Sequence, residues 1–189
     1  YINSTKIEEK IINNESKSKD DISFLKELAG YLQQTHNLSP TNTFSTGFSN
    51  GGDISYMLAC QASDVFRAIA PVAGMIKVDI YKDCDNASGV PVFEIHGTND
   101  DVTPFEGDLT NEDGWGAFLD IPTTIDYFVD KNNLSEINID TLPNIDNNDG
   151  SYVISYVHYS ENTTNQVWLY KVIGGGHDWP GAWGNMDIN

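Results

Sequence analysis

The sequence predicts an α/β fold, a mostly parallel sheet flanked by helices and incomplete at both ends. Three observations predict it. Apolar runs of strand length alternate with stretches of helical spacing. Gly47-Phe48-Ser49-Asn50-Gly51 stands between a strand-like run and a helix-like run. Two further strand-like runs end just before Asn99-Asp100-Asp101 and Gly174-Gly175-Gly176-His177, so side chains with chemical potential collect at strand ends.

Taken in order, residues 1–19 are polar, with only Ile7, Ile11 and Ile12 hinting at a period, and read as a loop or a marginal helix. Residues 20–34 place Ile22, Phe24, Leu25, Leu28, Ala29 and Leu32 at helical spacing, with Asp20 or Asp21 as N-cap. Residues 42–46 form the strand before Ser49. Residues 52–62 form the following helix, with Tyr56, Leu58 and Ala59 facing the sheet. The compact apolar run 66–73 reads as a buried strand. The run 91–97 is another, closed by Gly97. Residues 122–131 read as a helix with Ile125, Phe128 and Val129 on one face. Residues 138–142 and 152–159 read as short strands joined through the turn cluster 144–150, and 166–173 as the last strand. The 189 residues are expected to form one domain, 1–189, without repeats.

The chain is acidic, with a formal net charge of −18. Phosphate backbones and anionic lipid surfaces need cationic partners, so nucleic acid and membrane surfaces are excluded as partners. The acidity reads as a solubility device. No apolar run is long enough to span a bilayer. The two cysteines, Cys60 and Cys84, lack other Cys or His at zinc-ligand spacing, and no metal site is expected. They flank the helix after Ser49 and the strand after it. The pair reads as a disulfide, the other reading being two buried thiols.

The Gly-x-Ser-x-Gly pattern between a strand and a helix is a nucleophile elbow. A serine on a tight turn projects its hydroxyl from the sheet edge, and the flanking glycines are expected because side chains there would collide. The acid and base should follow in the order carboxylate, then histidine. Asp100 fits the first, coming before Asp101 at its strand end, and His177 fits the second. In this reading Ser49 attacks an ester carbonyl, His177 carries the proton, Asp100 holds the His177 tautomer, and the backbone N–H of Asn50 donates to the oxyanion. His96, inside a strand end, reads as a hydrogen-bonded structural histidine, and His36 and His158 as surface residues. Aromatic residues near the elbow and the histidine loop, Phe48 and Trp179, are the candidate substrate contacts, with Trp115 and Trp183 in other loops.

Five blocks together resemble the polyhydroxybutyrate depolymerase-like and feruloyl esterase-like branch of the α/β-hydrolases. They are residues 20–25; Thr46-Gly47-Phe48-Ser49-Asn50-Gly51-Gly52; residues 66–74; His96-Gly97-Thr98-Asn99-Asp100 with Val102 and Pro104; and Gly174-Gly175-Gly176-His177-Asp178-Trp179-Pro180-Gly181. The resemblance implies an α/β-hydrolase fold and a secreted or periplasmic carboxylic-ester hydrolase that needs no cofactor. It puts the triad on Ser49, Asp100 and His177, and matches Cys60 and Cys84 to a cysteine pair of similar proteins.

The departures from that family set further expectations. The chain opens on Tyr1, holds only about four strands of the α/β kind, and has no His-Gly strand end before Ser49 to complete an oxyanion hole. Residues 185–189 read as the start of a helix. The expectation is a fragment cut at both ends; the rival is a minimal enzyme that draws its second donor from residues 1–19. Three functions compete: an esterase acting on feruloyl, acetyl or polyhydroxyalkanoate esters; a polymer-binding remnant without turnover; and a serine peptidase of the same fold. A peptidase would need an acidic pair for the peptide amine, and no such pair is recognisable.

Overall fold

Val92–Gly97 (β3) and Val167–Ile173 (β6) are dominated by β-branched and aromatic residues, and they pair in parallel, Val92 opposite Val167 and Gly97 opposite Val172. They form the middle of a six-stranded sheet in the computed structural model, which describes residues 17–84, 88–112 and 114–181. The order is β1-β2-β3-β6-β5-β4, with Phe44–Phe48 (β1), Ala68–Val72 (β2), Glu136–Thr141 (β4) and Tyr152–Tyr159 (β5). β1, β2, β3 and β6 run parallel; β5 and β4 add an antiparallel pair. Each of the six strands overlaps a run that the sequence predicted as a strand, and the four parallel ones match the expected number of the α/β kind. Parallel neighbours require crossovers, and helices supply them.

The chain divides into two compact units, 1–40 and 41–189. The first contains Lys17–His36 (α1), which starts ahead of the expected boundary. Positions 20 and 21, the expected N-cap, thus fall within the helix rather than ahead of it. The expectations for residues 1–16 and 182–189, including the second oxyanion donor, Trp183 and the C-terminal helix start, fall outside the described residues.

In the second unit, Asn50–Gln61 (α2) follows β1, Val78–Asp83 (α3) follows β2, and Ile121–Lys131 (α4) follows the long 98–120 connection. α4 starts as its sequence dictates. Asp120 caps it by accepting from the N–H of Thr123 at 2.7 Å, Pro122 sits in the first turn, and Ile121, Ile125 and Phe128 are buried at helical spacing. These residues meet Tyr56, Ala59 and Cys60 of α2, and Ile69, Val92, Val167 and Leu169 of the strands, in one core. Each Val, Leu, Ile or Phe among them, fully buried, contributes about 1.5–3 kcal/mol. α3 went unread in the sequence because six residues show too little periodicity. It is held by buried Ile80 and by the Cys60–Cys84 disulfide at its C-terminal end. The edge strand β4 is exposed along its whole length and carries Glu136 and Asp140, charges that discourage a foreign strand from pairing there.

Candidate active site

Ser49 sits between β1 and α2 with φ 56° and ψ −120°, outside the wells that non-glycine residues favour. The neighbouring hydrogen bonds hold it there. Its N–H donates to Val72 O at 2.9 Å, and its carbonyl accepts from Gly52 and Asp53 N–H at 2.8 and 3.1 Å. Serine at a helix N-cap ordinarily spends its hydroxyl on the first helical turn. Here the side chain makes no capping bond, and Ser49 Oγ lies 3.0 Å from His177 Nε2. The expected crowding holds on one flank only. A Cβ on Gly47 would stand 2.5 Å from the Gly51 backbone, whereas a Cβ on Gly51 would meet nothing within 4 Å. Crowding therefore does not require glycine at position 51.

His177 is delivered by the loop after β6. Gly174 takes φ +79°, a left-handed conformation that costs a glycine little. The loop is tied to the end of β3 by Asn99 N–H to Gly175 O at 2.8 Å and Gly174 N–H to Thr98 Oγ1 at 2.9 Å. β3 and β6 are neighbours, so the loops that follow them bring Asp100 and His177 together. Asp100 Oδ1 accepts from the N–H groups of Val102 (2.9 Å) and Thr103 (2.7 Å), and Oδ2 from Thr103 Oγ1 (2.9 Å). His177 Nδ1 lies 2.8 Å from Asp100 Oδ2 and 3.0 Å from Oδ1. Asp101 is exposed beside it. A carboxylate can only accept, so His177 Nδ1 carries its proton toward Asp100 and Nε2 is free to accept from the Ser49 hydroxyl. That arrangement can remove a proton from Ser49 and hold the imidazolium that results.

Burial opposes the charge of Asp100, but the hydrogen bond from His177, the N–H of Thr103 and nearby His96 outweigh it and hold its carboxyl below the usual range. Behind it lies a buried chain that the sequence reading did not foresee. His96 Nε2 lies 2.8 Å from Thr103 O, His96 Nδ1 is 2.9 Å from Glu94 Oε1, and Tyr56 Oη donates to Glu94 Oε2 at 2.9 Å. Strand alternation was the available signal: Glu94 and His96 share a face with buried Val92. Burial pushes the Glu94 carboxyl up despite its bonds to His96 and Tyr56. Burial pushes His96 down, but Glu94, the Thr103 carbonyl and Asp100 more than reverse that. Asp53, in the first turn of α2, accepts from Met75 N–H at 2.9 Å, and burial raises its carboxyl against the pull of that bond and of Lys77, His177 and His96.

The remaining predicted residues scatter. The Phe48 ring lies against His177, centroids 4.8 Å apart. Asn50 opens α2, so its N–H is among those that no intrahelical carbonyl takes. Trp179 and Trp115 are both exposed, Trp115 on the 107–119 loop. His96 is a buried, hydrogen-bonded histidine and His36 is exposed, while His158 is half-buried in β5 rather than on the surface. A mostly apolar groove of about 600 Å³ lies elsewhere, lined by Phe44, Ala68, Val92 and Trp168 near the strands' N-terminal ends, and none of Ser49, Asp100 or His177 lines it. Among the described residues, no helix is long and apolar enough to cross a membrane.

No family model matches the chain. It is 33% identical over 89 residues to probable feruloyl esterase C of Aspergillus niger, covering 47% of this chain and 32% of that one. It is 32% identical over 92 residues to feruloyl esterase C of Emericella nidulans, covering 48% and 33%. The match to feruloyl esterase B of Piromyces equi is 30% over 93 residues, covering 48% and 17%. The structure superposes on the crystal structure of esterase PE8 with a TM-score of 0.50 and 18% identity, over 85% of this chain and 54% of that one. The superposition gives the chain an α/β-hydrolase fold. The matches to the two C-type relatives span about a third of each relative's length. The α/β-hydrolase fold of this chain is the four-strand parallel segment with its antiparallel extension.

Proposed function

We propose that this chain carries the catalytic groups of a serine carboxylic-ester hydrolase, with Ser49 as nucleophile, His177 as base and Asp100 as its orienting acid. One observation carries the reading: an unbroken run of hydrogen bonds from Asp100 through His177 to Ser49, with contacts of 2.8 and 3.0 Å. Ser49 Oγ attacks the ester carbonyl as its proton passes to His177 Nε2. The tetrahedral oxyanion sits on the Asn50 N–H at the start of α2, where the helix dipole favours negative charge. His177 then protonates the departing alcohol, and water repeats the steps in reverse to free the acid. The chemistry needs no cofactor. The names of the relatives favour feruloyl esters on plant polysaccharide over polyester substrates, with Phe48 and Trp179 beside the acyl group. The disulfide favours an exported protein.

The test is intact-mass detection of fluorophosphonate labelling beside hydrolysis of a p-nitrophenyl ester and a feruloyl ester. Labelling confined to Ser49, with turnover lost in Ser49→Ala at an unchanged fold, is the expected result. Substantial turnover in Ser49→Ala would overturn the assignment, and absence of labelling in the native chain would favour the polymer-binding alternative.

A further inference from the structure

Glu94 and His96 are fully buried and ionisable, yet the proposed reaction uses neither. Their bonds explain why they are there. The Thr103 carbonyl can only accept, so the 2.8 Å contact requires His96 Nε2 to carry a proton. That leaves Nδ1 and Glu94 Oε1, 2.9 Å apart, to share one proton, while Tyr56 Oη–H occupies the other Glu94 oxygen. Glu94 thereby fixes the face that His96 presents to Thr103. Thr103 is the residue that grips both oxygens of Asp100, through its N–H at 2.7 Å and its hydroxyl at 2.9 Å. Its hydroxyl also lies 3.2 Å from His177 Nδ1. Direct contact between His96 Nε2 and Asp100 Oδ2 is longer, 3.5 Å, so the hold on Asp100 passes through the turn.

We propose that Glu94 and His96 are positioning residues, a buried clamp on the 100–103 turn that aims Asp100 at His177. The proposal rests on the triad reading above. It differs from a merely structural role in what it predicts for a folded variant. A core histidine that only fills space would change stability alone. A clamp on the turn would change the rate of the chemical step, because an imidazole that loses its orienting carboxylate no longer presents Nε2 to the serine.

Two amide substitutions separate these roles. In His96→Gln the amide reaches the place of Nε2 and keeps the Thr103 bond. In His96→Asn it reaches only the place of Nδ1, keeping Glu94 and losing Thr103. Both bury one amide at comparable cost. The expected result is kcat lower by about 10- to 100-fold in His96→Asn with KM little changed, and near-native kcat in His96→Gln. The low-field proton resonance of His177 Nδ1–H should persist in His96→Gln and be lost in His96→Asn. Equal kcat and equal resonances in the two variants would overturn the clamp. If His96→Asn does not fold, Glu94→Gln decides, since it donates to Nδ1 and keeps the proton on Nε2. It should retain native kcat and the resonance, and a tenfold loss in the folded variant would overturn the proposal. If the native chain hydrolyses no ester, the triad reading fails by itself, and the resonance comparison still decides the clamp.

Discussion

Ser49 gives its hydroxyl to His177 instead of to the helix it begins, and that choice defines the residue scale. That Ser49, Asp100 and His177 meet was legible because each follows a strand, and strand ends of one parallel sheet lie together. Glu94, Thr103 and Asp53 were not, since their importance lies in which buried atoms they face. Asp53 is one such residue with a measurable consequence. Its carboxyl is raised above its ordinary value of 3.8, chiefly by burial. The native state therefore holds that proton more tightly than the unfolded chain does. Stability contributed by the neutral form is complete below pH 3.8 and lost as pH rises through the raised value. Asp53→Asn keeps the acceptor for Met75 N–H and removes the charge. It should leave the melting temperature unchanged near pH 3 and raise it at pH 7, by about 2–4 °C for each kcal/mol gained. Thermal scans at the two pH values check this, and a lower melting temperature at pH 7 would show that attraction to Lys77, His177 and His96 outweighs burial.

At the scale of elements, the two elbow glycines carry unequal burdens. Gly47→Ala would press a Cβ against the Gly51 backbone at 2.5 Å and should push α2 off β1, at a cost on the order of 3 kcal/mol, with loss of Ser49 labelling. Gly51→Ala meets open space on a helical residue and should stabilise by about 0.5–1 kcal/mol. Chemical denaturation of the two variants checks the pair, and comparable destabilisation in both would contradict the packing. The motif treats these glycines alike; only the exit angle of α2 distinguishes them. The same limit hid α3, whereas β5 was bounded correctly because eight residues in alternation leave little choice.

At the scale of the molecule, the disulfide joins α2 to the end of α3, closing a separation of 24 residues. Loop-closure entropy assigns such a link about 3 kcal/mol. Reduction followed by alkylation should lower the denaturation midpoint accordingly, while alkylation of the native, unreduced chain should leave both cysteines unmodified. Ready modification without reductant would contradict the bridge. The sheet order was partly legible, as the parallel part follows from alternating strands and helices. The placement of β6 between β3 and β5 was not, because it depends on which strand faces suit each other across the whole sheet. That placement has a kinetic consequence. Ser49 and His177 are 128 residues apart in the chain, and contacts of such long range are slow to form in folding. During refolding, helical and strand signals should return first, and the capacity of Ser49 to accept a phosphonate should return last, making reactivity a clock for completion of the sheet.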